Sequence, residues 1–524
     1  MTSETEAPPR PSGTGATSPA TGHRWRRPAL TPWGVAMAVA VAGGLVLRFW
    51  ATSALWLDEA QSVVVARLPL HELPAALRSD GAPPLYYLLL HGWTAVFGTG
   101  SFAVRSMSGL ASVAALPLIY LMGRRLAGSG VGAAAMLLLA SSPFAIRYAT
   151  ETRMYSLVVL LTLLGFEALA WVHRRPGWRS ASAVALVTAL LLYTHYWAMY
   201  LVAVVGIGLL WRWRRGPAKV ASGWALAGAC AGILAFLPWV PILLFQLRHT
   251  GTPWGNPASL AGLIGSVGLW AGGAKAAGRL TALLFFALAA LGTFGRPAGR
   301  AMIVLDLRGR PRARLLAATT LATMLVALAA AMLTSSEYGA RYTSVVFAPF
   351  VVLLGFGLSA FADLRVRRTV LSTAVVLGFV SSVPLVTVWR TQAGQVAAAL
   401  AARAAPGDVV AFCPDQLGPG VARLAPRGLD SLVYPTGASP ERVNWVDYAA
   451  RNAASSPAEF ARRLEVRAGA RGIWLVYAGE YNTLEAKCPE LVRILARSRP
   501  HPEVVVPTRL RTAERERLLY FRAP

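Results

Sequence analysis

The sequence predicts an α-helical polytopic membrane protein with a C-terminal α/β domain, on three observations. Of 524 residues, 55% are hydrophobic and only 14% are charged, where a soluble protein runs near a quarter charged. About eleven apolar runs come close to or reach the roughly 20 residues that a crossing helix needs. Past residue 390 the hydropathy drops, and short strand-like runs alternate with helix-like stretches. A purely soluble enzyme is thereby excluded. The formal charge of +27 arises from 51 Lys and Arg against 24 Asp and Glu. Its Arg clusters sit between the apolar runs, as the positive-inside rule demands. There is no basic groove with interleaved aromatics of the kind that single strands require, so no nucleic-acid partner is expected. With only three lysines, the Arg, Ala and Gly bias suggests a high-GC bacterial genome.

In chain order, residues 1–32 form a cytoplasmic tail, its first part too poor in apolar residues to order itself. Arg24, Arg26 and Arg27 then precede the first apolar run, near 33–55. A secretory signal shares this charge layout, but the length of the run and the similar runs after it favour an uncleaved span. The membrane domain covers 33–390, with a first outer loop at 56–101. Further runs lie near 102–123, 130–149, 156–173, 181–197, 199–211, 221–245, 279–295, 315–334, 343–361 and 369–389. With the tail in the cytoplasm every odd helix runs outward, and nearly all Arg clusters fall inside. The apolar segment 80–100 would invert this register if it crossed. It therefore reads as an interfacial helix on the outer surface, with Tyr86, Tyr87, His91 and Trp93 at headgroup level. Residues 391–524 follow an odd number of spans and form an extracytoplasmic α/β domain. Its strands are expected at 408–413, 429–434, 472–478, 503–506 and 517–521, its helices at 391–404, 457–468 and 484–498. Gln416 to Gly420 lacks the glycine fingerprint and Walker lysine of a nucleotide loop and reads as a plain turn.

On this topology the outer ends of the helices gather an unusual set of polar residues: Asp58, Glu59 and Asp80 in the first outer loop, Arg105 at the start of the second span, Glu151, Arg153 and Tyr155 after the third, His195 and Tyr196 after the fifth, and Arg341 and Tyr342 after the ninth. Each has a bland reading. Asp58 and Glu59 suit a solvated loop, Arg147 and Glu151 a helix-face ion pair, Arg105 and Arg341 lipid headgroups, and His195 and Tyr196 a membrane-interface belt. Their joint occurrence on one face favours a functional site. Arginines around one or two carboxylates suit group transfer from a phosphate-bearing lipid. The planar guanidinium holds phosphate oxygens and stabilises a departing phosphate, while a carboxylate removes the acceptor's proton. No HExxH, GxSxG, Walker or Cys/His metal motif occurs.

The segments Leu57–Ala60, Pro83–Tyr87, Phe97–Gly98 with Arg105, Ser142–Pro143 followed by Glu151–Tyr155, Tyr193–Tyr196 and Arg341–Tyr342 together resemble the GT-C membrane glycosyltransferases. The nearest branch is the family 39-like one, related to protein O-mannosyltransferases and aminoarabinose transferases. The resemblance spans roughly residues 33–360. It implies a polyprenyl-phosphate sugar donor, a glycan, lipid or protein acceptor, and a site opening away from the cytoplasm of a bacterial membrane. It also implies Asp58 as base with Glu59 beside it, Glu151 as the acid of the second outer loop, and Arg105, Arg153, Arg341 and Tyr342 as donor-phosphate contacts. Asp80, Tyr155, His195 and Tyr196 complete the candidate site. Oligosaccharyltransferase-like members carry a second carboxylate where this chain has Arg153, so no metal cofactor is expected to be required. Transfer should be a direct, inverting displacement. The rival readings are a transporter or flippase of a lipid-linked sugar, which would place charges mid-helix and show paired repeats, and a non-catalytic relative. Of the cysteines, Cys230 in an apolar run is expected as an inert buried thiol. Cys413 and Cys488 share the outer domain and are expected to pair.

Overall fold

The computed structural model describes residues 31–252, 255, 257–300, 302–334, 336–479 and 482–524. Most of the tail expected at 1–32 lies outside them. Each expected apolar run contains a helix, most with boundaries close to those read from hydropathy, but the helix of the run at 33–55 ends at Leu47. Seven helices among the described residues are long and apolar enough to cross a membrane, or eight if the bent pair Ser129–Ala140 and Pro143–Ala149 is one span. Pro32–Leu47 and Trp178–Thr194 are apolar but shorter. Leu260–Trp270 is a further short apolar helix, beyond the runs expected from hydropathy.

Of three local departures, two follow from polar atoms and one from the side a helix turns to lipid. The run at 130–149 breaks at Ser142–Pro143 by 55°. Proline cannot donate to the preceding turn, and Ser142 Oγ caps the new helix by accepting from Ala145 N at 3.2 Å. Arg48, fully buried, covers the break by donating to Leu139 O and Ala140 O at 2.7 Å, to Gly44 O at 2.8 Å and to Ser112 Oγ at 2.9 Å. The segment 80–100 is helical at Leu85–Phe97, yet Tyr86 and Tyr87 are buried rather than at headgroup level. Their hydroxyls reach Ser108 and Asp80, while Leu88, Leu89, Val96 and Phe97 are exposed. The phenols thus turn toward the protein, which supplies partners that lipid tails lack. Cys230, expected to be buried, is exposed. An apolar run on a membrane helix can face lipid as readily as protein, so hydropathy does not fix the side.

Helices Trp178–Thr194 and Lys219–Phe236 approach closely, because a Cβ at Gly228 or Gly232 would stand 2.4 or 2.5 Å from Ala181 O or Ala185 O. Small residues at this spacing let helix backbones meet where no hydrophobic effect drives association.

The C-terminal domain holds a five-stranded sheet in the order Asp430–Val433, Val409–Cys413, Ile473–Tyr477, Arg517–Phe521, Glu503–Val506. The first three strands are parallel, the fourth runs antiparallel to the third, and the fifth antiparallel to the fourth, with Val409 opposite both Asp430 and Ile473, and Ile473 opposite Phe521. The central strands are buried on both faces, as their near-continuous apolar runs require. Helices Pro457–Ala468 and Lys487–Ser498 cover one face through Phe460, Leu464, Leu491 and Leu495. Helix Ala393–Arg403 covers the other through Val396 and Leu400. Cys413 and Cys488 form the expected disulfide, with their α-carbons 5.6 Å apart. The domain seats directly on the membrane domain: Val443 N donates to Gln61 Oε1 at 2.9 Å, Trp445 N to Ser79 O at 3.1 Å and Asp447 N to His249 O at 2.7 Å.

Candidate active site

Asp58 and Glu59 open the helix Leu57–Ala66. Consecutive helical residues diverge by about 100°, and here they part completely. Glu59 points into the protein and is fully buried. Arg105 grips it through Nε at 2.7 Å and through Nη2, and Thr152 N donates to it at 2.9 Å. Burial alone would raise its pKa, but Arg105, Arg390 and the Thr152 N–H hold it below the ordinary carboxylate value. Arg105 also donates to Ser53 O at 2.7 Å and Ala54 O at 3.1 Å. Glu151 is 2% exposed, with Arg147 Nη2 at 3.2 Å. Arg390 joins the two acids, its Nη1 standing 3.9 Å from Glu59 and 4.0 Å from Glu151 while donating to Thr150 O at 2.7 Å. These five charges, all buried but the half-buried Arg147, form a platform that ties the ends of the first and third apolar runs to the start of the C-terminal domain. Removing one partner would strand an uncompensated charge.

Asp58 points the other way, into a cavity of about 620 Å³. Its Oδ2 lies 3.9 Å from Arg153 Nε and 3.8 Å from Arg341 Nη1. Arg153 is steadied by Ser62 Oγ at 3.2 Å and Tyr87 OH at 3.3 Å. Arg341 Nη2 donates to Glu337 Oε2 and meets Tyr342 OH, each at 3.2 Å. Asp80 accepts from Gln61 and, at 2.6 Å, from Tyr87 OH. The rings of Tyr155, His195 and Tyr342 follow one another along the wall, with centroids 5.9 and 5.5 Å apart. Tyr196 is hydrogen bonded to Gln246 and Trp239.

Of the residues singled out from sequence, Asp58, Asp80, Arg153, Tyr155, His195, Tyr196, Arg341 and Tyr342 therefore line one cavity. Glu59, Glu151 and Arg105 do not reach it. Arg105, expected at the donor phosphate, spends its guanidinium on Glu59 and two carbonyls. No three His, Cys, Asp or Glu side chains among the described residues converge as metal ligands.

Residues 81–242 match the family described as dolichyl-phosphate-mannose-protein mannosyltransferase. No curated protein sequence matches the chain. The structure is similar to that of ArnT from Cupriavidus metallidurans bound to undecaprenyl phosphate, with a TM-score of 0.58 at 15% identity, over 94% of this chain and 98% of that one. The chain has a GT-C fold. Two other similar structures are an Archaeoglobus fulgidus oligosaccharyltransferase, with a TM-score of 0.49, 12% identity and 84% and 67% coverage, and the mycobacterial arabinofuranosyltransferase AftD, with 0.47, 15%, 93% and 41%. The GT-C fold and the family match together support membrane glycosyl transfer. This GT-C chain also carries cavity residues that sequence reasoning did not assign. For Glu337 the available signal was its i,i+4 spacing to Arg341. Gln416, Trp445 and Glu514 come from the C-terminal domain, and no local pattern links them to residues 57–80.

Proposed function

We propose that the protein transfers a sugar from a polyprenyl-phosphate donor to an acceptor hydroxyl on the outer face of the bacterial cytoplasmic membrane. The observation that carries this reading is Asp58 set between Arg153 and Arg341 on the wall of a roomy cavity. Asp58 takes the acceptor's proton as the acceptor oxygen bonds to the anomeric carbon on the face opposite the leaving group. The bond from that carbon to the phosphate oxygen breaks, with inversion. Arg153 and Arg341 receive the charge that gathers on the departing polyprenyl phosphate, and Tyr342 offers one further donor. Undecaprenyl phosphate, bound in the ArnT structure, is itself a polyprenyl phosphate and supports this choice of lipid carrier.

The outer location is supported by the Arg clusters between spans and by the Cys413–Cys488 bridge, since disulfides persist in oxidising compartments. Incubation of the purified protein with a panel of polyprenyl-phosphate sugars and scoring of released polyprenyl phosphate tests the donor class. Release from none of them would refute it. We further propose that no divalent metal is strictly required, because Arg153 supplies a fixed cation beside Asp58. Full activity in chelator is the expected result, and loss that magnesium or manganese restores would refute it.

A further inference from the structure

The C-terminal domain places a carboxylate beside Asp58 that the transfer step leaves unused. Helix Leu57–Ala66 begins at Trp56, whose side chain makes no capping hydrogen bond. First-turn N–H groups have no partner within their own helix. The Leu57 N–H is met instead by Glu514 Oε1 at 3.2 Å, a residue 457 positions along the chain. Glu514 is 7% exposed and lines the cavity wall. Its own backbone N–H donates to Arg390 O at 2.8 Å, and the Arg390 guanidinium faces Glu59 and Glu151. The capping carboxyl is thus anchored to the buried platform. Its second oxygen is buried without a hydrogen bond, a rare condition for a buried polar atom.

We propose that Glu514 is a positioning residue for Asp58. By capping the helix whose first turn carries Asp58, it holds that carboxylate between Arg153 and Arg341 and makes the C-terminal domain part of the transfer machinery. The proposal rests on the reading of Asp58 as the base. Asp58 is the next residue after the capped N–H, so fraying of this turn displaces it directly, and small misplacements of a reacting group are costly in rate. Burial, with Asp58 and Glu59 nearby, pushes the Glu514 carboxyl up to about 7. A neutral side chain with the same acceptor oxygen should therefore serve equally well.

Full-length Glu514→Ala and Glu514→Gln proteins test this by amide hydrogen exchange over residues 57–66 and by donor kinetics. In Glu514→Ala the first-turn amides should exchange about fivefold faster. Its kcat should fall roughly tenfold with the donor KM within about twofold. Glu514→Gln should restore both, because its amide oxygen accepts the same bond. Glu516→Ala is the stability control. Glu516 is buried two positions further along the chain, accepts from Thr391 at 2.8 Å and makes no hydrogen bond to Leu57 N. It should lower the thermal midpoint and leave kcat unchanged. Unaltered exchange in Glu514→Ala, faster exchange with wild-type kcat, or an equal fall of kcat in Glu516→Ala would each overturn the proposal. Wild-type protein inactive with every donor would instead count against glycosyl transfer, and the exchange comparison would still decide the cap.

Discussion

Asp58 and Glu59 show how adjacent acids of one helix turn take different parts. Asp58→Asn should lower turnover by roughly a thousandfold, within the range of a lost general base, while leaving donor affinity near wild type. Arg341→Ala should weaken donor binding roughly tenfold or more by removing a phosphate partner. Donor affinity measured beside turnover for each variant separates the two, and Asp58→Asn turnover near wild type would refute the assigned base. A second buried acid predicts a pH effect on stability. Burial in the C-terminal domain pushes Asp415 up to about 6, although Tyr448 OH donates to it. Between pH 3.8 and 6 the folded state then binds more protons than the unfolded one, so this group's contribution falls as pH rises through that window and is flat above it. Asp415→Asn should keep the Tyr448 bond and abolish that fall, leaving the protein on the order of 2 kcal/mol more stable than wild type at a pH of about 7.5. Thermal midpoints of both proteins from about pH 4.5 to about 7.5 would show it. Which of the two neighbouring acids serves the site came only from the family resemblance, not from spacing, because tertiary packing sets the rotation of the helix.

Among the elements, hydropathy located the helices well and their irregularities poorly. The runs at 102–123 and 156–173 became helices Ser101–Ala127 and Tyr155–Arg174, since length and apolarity are the whole physical requirement for a span. The bend at Ser142–Pro143 and the short helix Leu260–Trp270 fell below that signal, the first because the two halves pass the span criterion only as one run, the second because 11 residues cannot cross. The bend depends on a distant partner. Arg48 makes three of its four bonds to main-chain carbonyls, two of them at the break. Arg48→Met should leave those acceptors without donors and cost about 3 kcal/mol, read as a lowered thermal midpoint in detergent. A midpoint unchanged from wild type would show that the break is self-supporting.

Among the described residues, the membrane helices and the C-terminal sheet region meet across the cavity, and the sequence displayed the two parts better than the join. The alternating runs past the drop in hydropathy marked the sheet, whose strands run from Val409–Cys413 to Arg517–Phe521. The seam at Gln61, Ser79 and His249 left no trace, because it consists largely of main-chain atoms. The proposed topology predicts labelling on opposite sides. A cysteine at Val466, 86% exposed on the C-terminal domain, should react with an impermeant maleimide in intact cells. One at Leu307, 72% exposed near the Arg308–Arg314 cluster, should react only after permeabilisation. The reverse pattern would invert the scheme.

The contact between Leu57 and Glu514 also has a bearing on biosynthesis. Its two halves are made 457 residues apart, an interval of roughly half a minute to a minute and a half at about 5–20 residues per second. For most of that interval the helix bearing Asp58 has left the ribosome while its cap has not been synthesised. On the proposed role of Glu514, the first turn gains its cap only after residue 514 has docked, and a chain that stalls earlier carries Asp58 on an uncapped turn.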